Sequence, residues 1–338
     1  MRQLKYFARI VEAGSMTRAA EELYVAQPAL GMQMSRLEKS LGVELLNRHP
    51  RGVSPTRAGQ LLYEQACVIL RLVEETEKRV AAAGRGGRQG IVLGLTHGFS
   101  SIVGRELLMQ AQQSLPNVQL GLVEERSVLL VDAIERHEID IALAYEVHQR
   151  PGLIRVPLLE EELLFACVGS PGTARSSRPG TALAPIEFQE LAARKLVLPG
   201  QRDGTRQQVL DVAKRLALDL QVIADVSSIS MMKNMVANGD AETVLPYGNF
   251  VDDITHGRLA GRRIVHPTLK RTLYLVRSAR RALLDHEIEL LGLIQLICRL
   301  YAERLEPLSA CLDAMERPLL QTLQELQAAS SEKNDSRR

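Results

Sequence analysis

The stretch Ala26-Gln27-Pro28-Ala29-Leu30-Gly31-Met32-Gln33-Met34-Ser35-Arg36-Leu37-Glu38-Lys39-Ser40-Leu41-Gly42 decides how the N-terminal part of this 338-residue chain is read. Pro28 suits the first turn of a helix, where its missing N–H leaves nothing unpaired. Leu30, Met34, Leu37 and Leu41 step by four, three and four, the spacing of a buried helical stripe. Gly42 is a stop. The opposite face carries Pro28, Met32, Ser35, Arg36 and Lys39, flanked by Ala29 and Gln33. That face is short-chained, polar and basic.

Upstream, Leu4, Phe7, Ala8 and Val11 mark a first helix, which Ala13-Gly14 ends. Ser15 is placed to cap a short second helix whose small inward residues, Ala19, Ala20 and Leu23, allow close approach. A turn through Tyr24, Val25 and Ala26 leads into the third helix. Downstream, Glu44–Arg48 and Val53–Thr56 read as two extended pieces around His49-Pro50-Arg51-Gly52, a hairpin with an arginine at its tip. The polar face of the third helix fits a DNA major groove, its N-terminal residues reaching base edges. An arginine on the hairpin tip suits a narrow minor groove. A helical bundle with no DNA role has the same periodicities. Charge favours DNA: residues 1–58 hold nine basic and five acidic side chains, although the whole chain carries only +2.

The order of residues is more specific than the periodicity. Ala13-Gly14-Ser15-Met16-Thr17-Arg18-Ala19-Ala20-Glu21-Glu22-Leu23, then Ala26-Gln27-Pro28-Ala29-Leu30, Leu37-Glu38, Leu41-Gly42, Leu45-Leu46, Arg48, Arg51-Gly52 and Thr56-Arg57-Ala58-Gly59 closely resemble the winged helix-turn-helix of the LysR-type transcriptional regulators. The Leu4-Lys5-Tyr6-Phe7 opening resembles the nitrogen assimilation control branch of that family. The resemblance implies DNA contacts from Gln27, Pro28, the exposed turn at Gly31-Met32, Gln33 and Arg51. Ala29 and Arg36 lie on the same face. Many members have Ser-Arg where this chain has Gly31-Met32, so an arginine reading guanine is absent there and Met32 is placed to touch a thymine methyl.

After Gly59, positions 62, 66, 69, 73, 76 and 80 (Leu, Ala, Ile, Val, Thr, Val) alternate steps of four and three, a coiled-coil seam that needs a partner, either the body of the same chain or a second copy. The linker helix of the family pairs with its twin, which implies a homodimer or homotetramer. Ala83–Arg88 is glycine-rich and reads as a hinge.

From Gly90 the texture is α/β. Ile91–Leu95, Val118–Glu124 and Asp140–Ala144 read as strands, and helices follow the first two, which predicts a mostly parallel sheet. A second unit contains Lys195–Leu198 and Thr243–Pro246. Ligands of such sheets bind beyond strand C-termini, near helix N-termini that favour anions. Resemblance implies a two-lobed, periplasmic-binding-protein-like sensor with a small molecule between its lobes. By motif its lining would be Thr96, His97, Ser100, Ser101, Ser127, Gln201, Arg202 and Thr205, with Arg202 able to pair with a carboxylate. Glu160-Glu161-Glu162 reads as a solvated turn. Leu290, Ile294, Ile297, Tyr301 and Leu305 form one helical face. Leu308, Leu312, Met315, Leu319, Leu323 and Leu326 step by three or four, divided by Pro318. The polar residues from Ser330 on read as a disordered tail.

The expected organisation is therefore a DNA-binding domain at 1–58, a linker helix and hinge at 59–88, a sensor at 89–305 and a helical extension with a tail at 306–338. The chain has no apolar run long enough for a membrane span and no signal peptide at its start, so a cytoplasmic place is expected. Cys67, Cys167, Cys298 and Cys311 are not at metal-ligand spacing. No dinucleotide, phosphate-loop, zinc or Gly-x-Ser-x-Gly motif is present, so neither a cofactor nor catalysis is expected. The expected partners are promoter DNA, an anionic effector, RNA polymerase and further copies of the chain. The competing reading is an α/β protein that binds or converts a small acid, with the N-terminal helices serving only oligomerisation.

Overall fold

The computed structural model describes residues 1–49, 52–84, 89–169, 183–279, 281, 284 and 286–335. The chain divides into two compact units, Met1–Gly87 and Arg88–Arg338.

In the first unit, α1 (Arg2–Ala13), α2 (Met16–Glu22) and α3 (Gln27–Leu41) precede an antiparallel hairpin of β1 (Leu46–His49) and β2 (Gly52–Pro55), and α4 (Arg57–Gly84) follows. Gly14 and Gly42 end α1 and α3 at φ 61° and 70°, a left-handed conformation that glycine adopts without a Cβ clash. The Ser15 hydroxyl caps α2 by accepting the Arg18 N–H at 3.4 Å. Phe7, Ile10, Ala19, Leu30, Met34 and Leu45 form the core. The buried face of α1 centres on Tyr6, Phe7 and Ile10; Leu4 and Val11 are half-buried. Leu41 departs from its expected stripe and is 49 % exposed. It occupies the last turn before the Gly42 stop, and the buried Leu45 and Leu46 close the core in its place. The hairpin is tied to the α1–α2 turn: the Val53 N–H donates to the Gly14 carbonyl at 2.9 Å. Gly59 opens α4 where a Cβ would stand 1.9 Å from the Leu45 carbonyl oxygen.

The second unit begins with β3 (Gln89–Leu95), α5 (His97–Ser114), β4 (Val118–Glu124), α6 (Ser127–Glu135), β5 (Ile141–Tyr145) and the long β6 (Leu153–Val168). Then come β7 (Pro185–Glu187), β8 (Lys195–Leu198), α7 (Gly204–Arg215), β9 (Gln221–Asp225), α8 (Ile229–Ala237), β10 (Thr243–Pro246), α9 (Val251–Thr255) and β11 (Leu259–Val265). The chain closes with β12 (Lys270–Ser278), α10 (Glu287–Arg304), β13 (Ser309–Cys311) and α11 (Leu319–Asp335). Strand β6 belongs to both lobes. Its first part pairs with β12 and β13, its second part with β10 and β11. The first lobe orders its sheet β4-β3-β5-β12-β6-β13, and the second places β7, β11, β6 and β10 together, with the parallel pair β8–β9 bridged to Glu242 just before β10.

The sheet is mixed, not mostly parallel. Strands β3, β4 and β5 run parallel, whereas β12 runs antiparallel to β5 and to β6. Parallel neighbours need crossover connections, and only the βα units supply them. The reading of Glu160-Glu161-Glu162 as a solvated turn is also corrected. All three lie in β6, and Glu161 is 1 % exposed. Each has a cation across the sheet: Lys270 at 3.4 Å, Arg271 at 2.9 Å and Arg263 at 2.6 Å.

The C-terminal region is helical only in its last part. Between Pro307 and Pro318 it forms β13 and a 3-10 turn at Asp313–Met315. Leu308, Met315, Leu319 and Leu323 enter the same core as α5 and α10. The last helix runs to Asp335, beyond the Ser330 where polar composition predicts its end.

Candidate functional site

Two surfaces carry the expected chemistry. On α3, Gln27, Pro28, Ala29, Met32, Arg36 and Lys39 are exposed, while Gly31 and Gln33 are half-buried. No side chain caps the N-terminus of α3, so its first N–H groups and the positive end of its dipole stay open to a phosphate. Arg36 and Lys39 have no ion-pair partner among the described residues, so their charge is available. Gln33 is engaged within the unit: its Oε1 accepts from Nε2 of Gln3 at 3.3 Å. Arg51, the expected tip of the hairpin, lies outside the described residues. The turn before α3 adds Tyr24, which is 95 % exposed at φ 54°. Its exposure has no signature in the sequence, where it reads as an ordinary turn residue.

The second surface is a cavity of about 390 Å³ between the lobes of the sensor unit, inside the range of about 300–1,000 Å³ usual for small-molecule sites. It opens at the C-terminal ends of β3, β4, β5, β8 and β9, and the first residues of α5, α6, α7 and α8 border it. Of the residues expected to line it, Thr96, His97, Ser127, Arg202 and Thr205 do so. Ser100 and Ser101 do not; the Ser101 hydroxyl donates to the His97 carbonyl at 2.8 Å, and the Ser100 hydroxyl donates to the Glu124 carboxylate. Gln201 is absent from the lining, and its carbonyl accepts from Gln207 at 2.8 Å. The Ser127 Oγ accepts the Tyr145 N–H at 2.9 Å, and His97 meets Glu124 at 2.9 Å. Burial pushes the Glu124 carboxyl up, but hydrogen bonds from Ser100 and His97 outweigh it and leave the pKa lowered. Arg202 pairs with Asp132 at 3.4 Å, which joins α6 of one lobe to the loop before α7 of the other.

Residues not foreseen complete the lining: Arg126, Tyr145, Glu146, Asn249 and Arg271 among them. Arg126 and Glu146 follow strand ends, a signal the sequence offered. Arg271 gave none, because its setting is built from distant segments. Its guanidinium lies 3.4 Å from the centroid of the Tyr145 ring and pairs with Glu161. Tyr301 of α10 donates to Glu161 at 2.8 Å and lies 3.4 Å from the Tyr145 hydroxyl. Burial, reinforced by Glu161, raises both phenols well above their ordinary pKa, so both stay protonated. Burial opposes the charge of Arg271, but Glu161 more than offsets it and the pKa is raised.

Comparison with known proteins finds a family model over each of the two units. Residues 1–60 match the family described as bacterial regulatory helix-turn-helix protein, lysR family, and residues 84–292 match the LysR substrate binding domain. The chain belongs to the LysR family of transcriptional regulators. The regulator is 34 % identical to the nitrogen assimilation regulatory protein nac of Klebsiella aerogenes over 286 residues, 84 % of this chain and 90 % of the relative. It is 30 % identical to the probable cat1 operon transcriptional activator of Acinetobacter lwoffii over 273 residues, covering 80 % and 88 %. Among solved structures it is similar to full-length CbnR complexed with its target DNA, with TM-score 0.62 and 25 % identity, covering 88 % of this chain and 98 % of that one. These relatives are regulators, not enzymes. The regulator thus combines a DNA-binding unit with an effector-binding unit. No helix among the described residues is long and apolar enough to cross a membrane.

Proposed function

We propose that this regulator binds promoter DNA in the cytoplasm as a homodimer or a pair of homodimers, and that a small effector with an anionic group controls it from the interlobe cavity. One observation carries the effector reading. The N-terminus of α5 faces the cavity without a side-chain cap, and Thr96, which precedes it, keeps a buried hydroxyl with no partner among the described residues. An unpaired buried polar group costs about 1–3 kcal/mol, which an arriving acceptor recovers.

DNA binding is assigned to Gln27, Pro28, Ala29, Gly31, Met32, Gln33, Arg36 and Arg51. The pairing surface is α4; of its expected seam Ala66 is buried and Leu62 packs on the core of its own unit, which corrects the start of the seam, whereas Ile69 and Val80 are 41 % and 68 % exposed beside Leu61 and Leu72 at 62 % and 50 %. Two copies present two recognition helices to two half-sites. The effector changes how the copies sit on DNA, and through that the access of RNA polymerase, provided it binds one arrangement more tightly than the other. Footprinting the promoter beside the regulator's own coding region, with and without small carboxylates, checks this. Two protected half-sites whose extent changes with the effector are expected. A footprint that ignores every carboxylate contradicts effector control.

A further inference from the structure

The four helix N-termini around the cavity are not alike. In the first lobe, α5 and α6 carry no side-chain cap. In the second, the Asp203 carboxylate accepts the Thr205 N–H at 2.9 Å, and Ser228 caps α8 by accepting the Met231 N–H at 3.3 Å. An anionic group therefore has its open place in the first lobe, at the start of α5 beside the Thr96 hydroxyl, which has no partner among the described residues and belongs to a residue only 8 % exposed.

The charges of the lining point to more than an anion. Arg271 pairs with the buried Glu161, and Arg202 pairs at 3.4 Å with Asp132, which also holds Arg150 at 3.2 Å. Glu124 is satisfied by His97 and Ser100. Among the described residues this leaves Arg126 without an ion pair, against Glu125, Glu146 and Asp203 without a cationic partner. Glu146 is held in place. It lies at φ 51°, a region that costs a non-glycine residue energy. Its N–H donates to the Thr272 carbonyl at 3.0 Å, and its Oε1 accepts the Thr272 N–H at 2.7 Å. It packs against Gly204, where a Cβ would stand 3.2 Å from the Glu146 Cβ. Gly204 follows Asp203. Glu146 of the first lobe and Asp203 of the second thus both line the cavity, neither with an ion-pair partner among the described residues. A purely anionic ligand would face both.

Resting on the effector reading above, we propose that the effector is a small zwitterion, an amino acid. Its carboxylate binds the α5 N-terminus and Thr96, and its ammonium binds Glu146 and Asp203. The ammonium has three donors to share between the two carboxylates, so the ligand ties one lobe to the other.

The experiment uses the full-length protein and calorimetric titration. The probes are the common L-amino acids, 4-aminobutyrate and 5-aminopentanoate, each beside the acid that lacks its amino group and the amine that lacks its carboxylate. At least one amino acid is expected to bind tenfold or more tighter than both of its matched partners. Glu146→Gln keeps an acceptor for the Thr272 N–H and removes only charge. It is expected to weaken that amino acid about tenfold and leave the matched acid unchanged or tighter. Acids that bind as tightly as their amino acids, or an affinity that Glu146→Gln does not alter, overturn the zwitterion and leave the effector reading standing. Silence from every amino acid also overturns the zwitterion. The effector reading fails separately, if acids, amines, amino acids, inorganic sulfate and inorganic phosphate all leave both binding heat and DNA footprint unchanged.

Discussion

The face of α3 and the interlobe cavity are both proposed as recognition surfaces, and they are built in opposite ways. The face of α3 comes from one helix, and each contact residue stands within fifteen positions of the next. The cavity is assembled from segments between Thr96 and Arg271. A local surface inherits its geometry from helical period alone. An assembled one depends on every strand end that feeds it and on charges paired through the core. Substitutions should therefore separate cleanly: the first surface loses affinity without losing stability, and the second loses both.

The largest effect is expected at Arg271. Arg271→Met leaves Glu161 buried without its cation, and chemical denaturation should show a loss of about 3–5 kcal/mol. A loss below about 1 kcal/mol would mean that the cavity wall does not depend on this pair. Within α3, Leu37→Ala should cost about 2–5 kcal/mol, whereas Leu41→Ala, at a position 49 % exposed, should stay within about 0.5 kcal/mol. Equal losses at the two leucines would contradict the observed end of the stripe. Gln27→Ala should leave melting unchanged and weaken DNA binding by about 1–3 kcal/mol at one base pair. A loss spread evenly over all sequences would reassign Gln27 to phosphate. Arg36→Ala should reduce the slope of log affinity against log salt by about one, with no change of base preference if it contacts only the backbone.

The smallest effect concerns acid. Glu124 has a lowered pKa in the folded chain, so its contribution is present above the unfolded carboxylate pKa and is lost as pH falls through the folded one. Ser100→Ala should move that loss to higher pH in an acid titration monitored by circular dichroism. An unchanged acid midpoint would show that the Ser100 hydrogen bond does not hold the carboxylate.

The same contrast explains what the sequence disclosed. The three helices, their glycine stops, the Ser15 cap and the exposed face of α3 all depend on neighbours within a few residues, and all were legible. So were β3, β4 and the helices that follow β3 and β4, because hydrophobic period is local. Arg271 and Glu161 were not, since each takes its meaning from a partner 110 residues away. For the same reason Glu160-Glu161-Glu162 looked solvated. The strand at Ser309–Cys311 was hidden because Leu308, Leu312 and Met315 keep a helical spacing while the backbone extends along β6. Thr96, His97, Ser127 and Thr205 were found because strand ends and helix starts can be located without knowing what faces them.

The central claim is that paired copies of α3 read DNA. Fluorescence anisotropy with full-length protein and its own promoter, repeated for every single base-pair change in each half-site, addresses it most directly. Wild type should discriminate at symmetric positions in two half-sites, and Gln27→Ala should lose discrimination at one matching position in each while keeping its salt dependence. Binding that is indifferent to sequence, or confined to a single half-site with no loss on Gln27→Ala, would contradict the account.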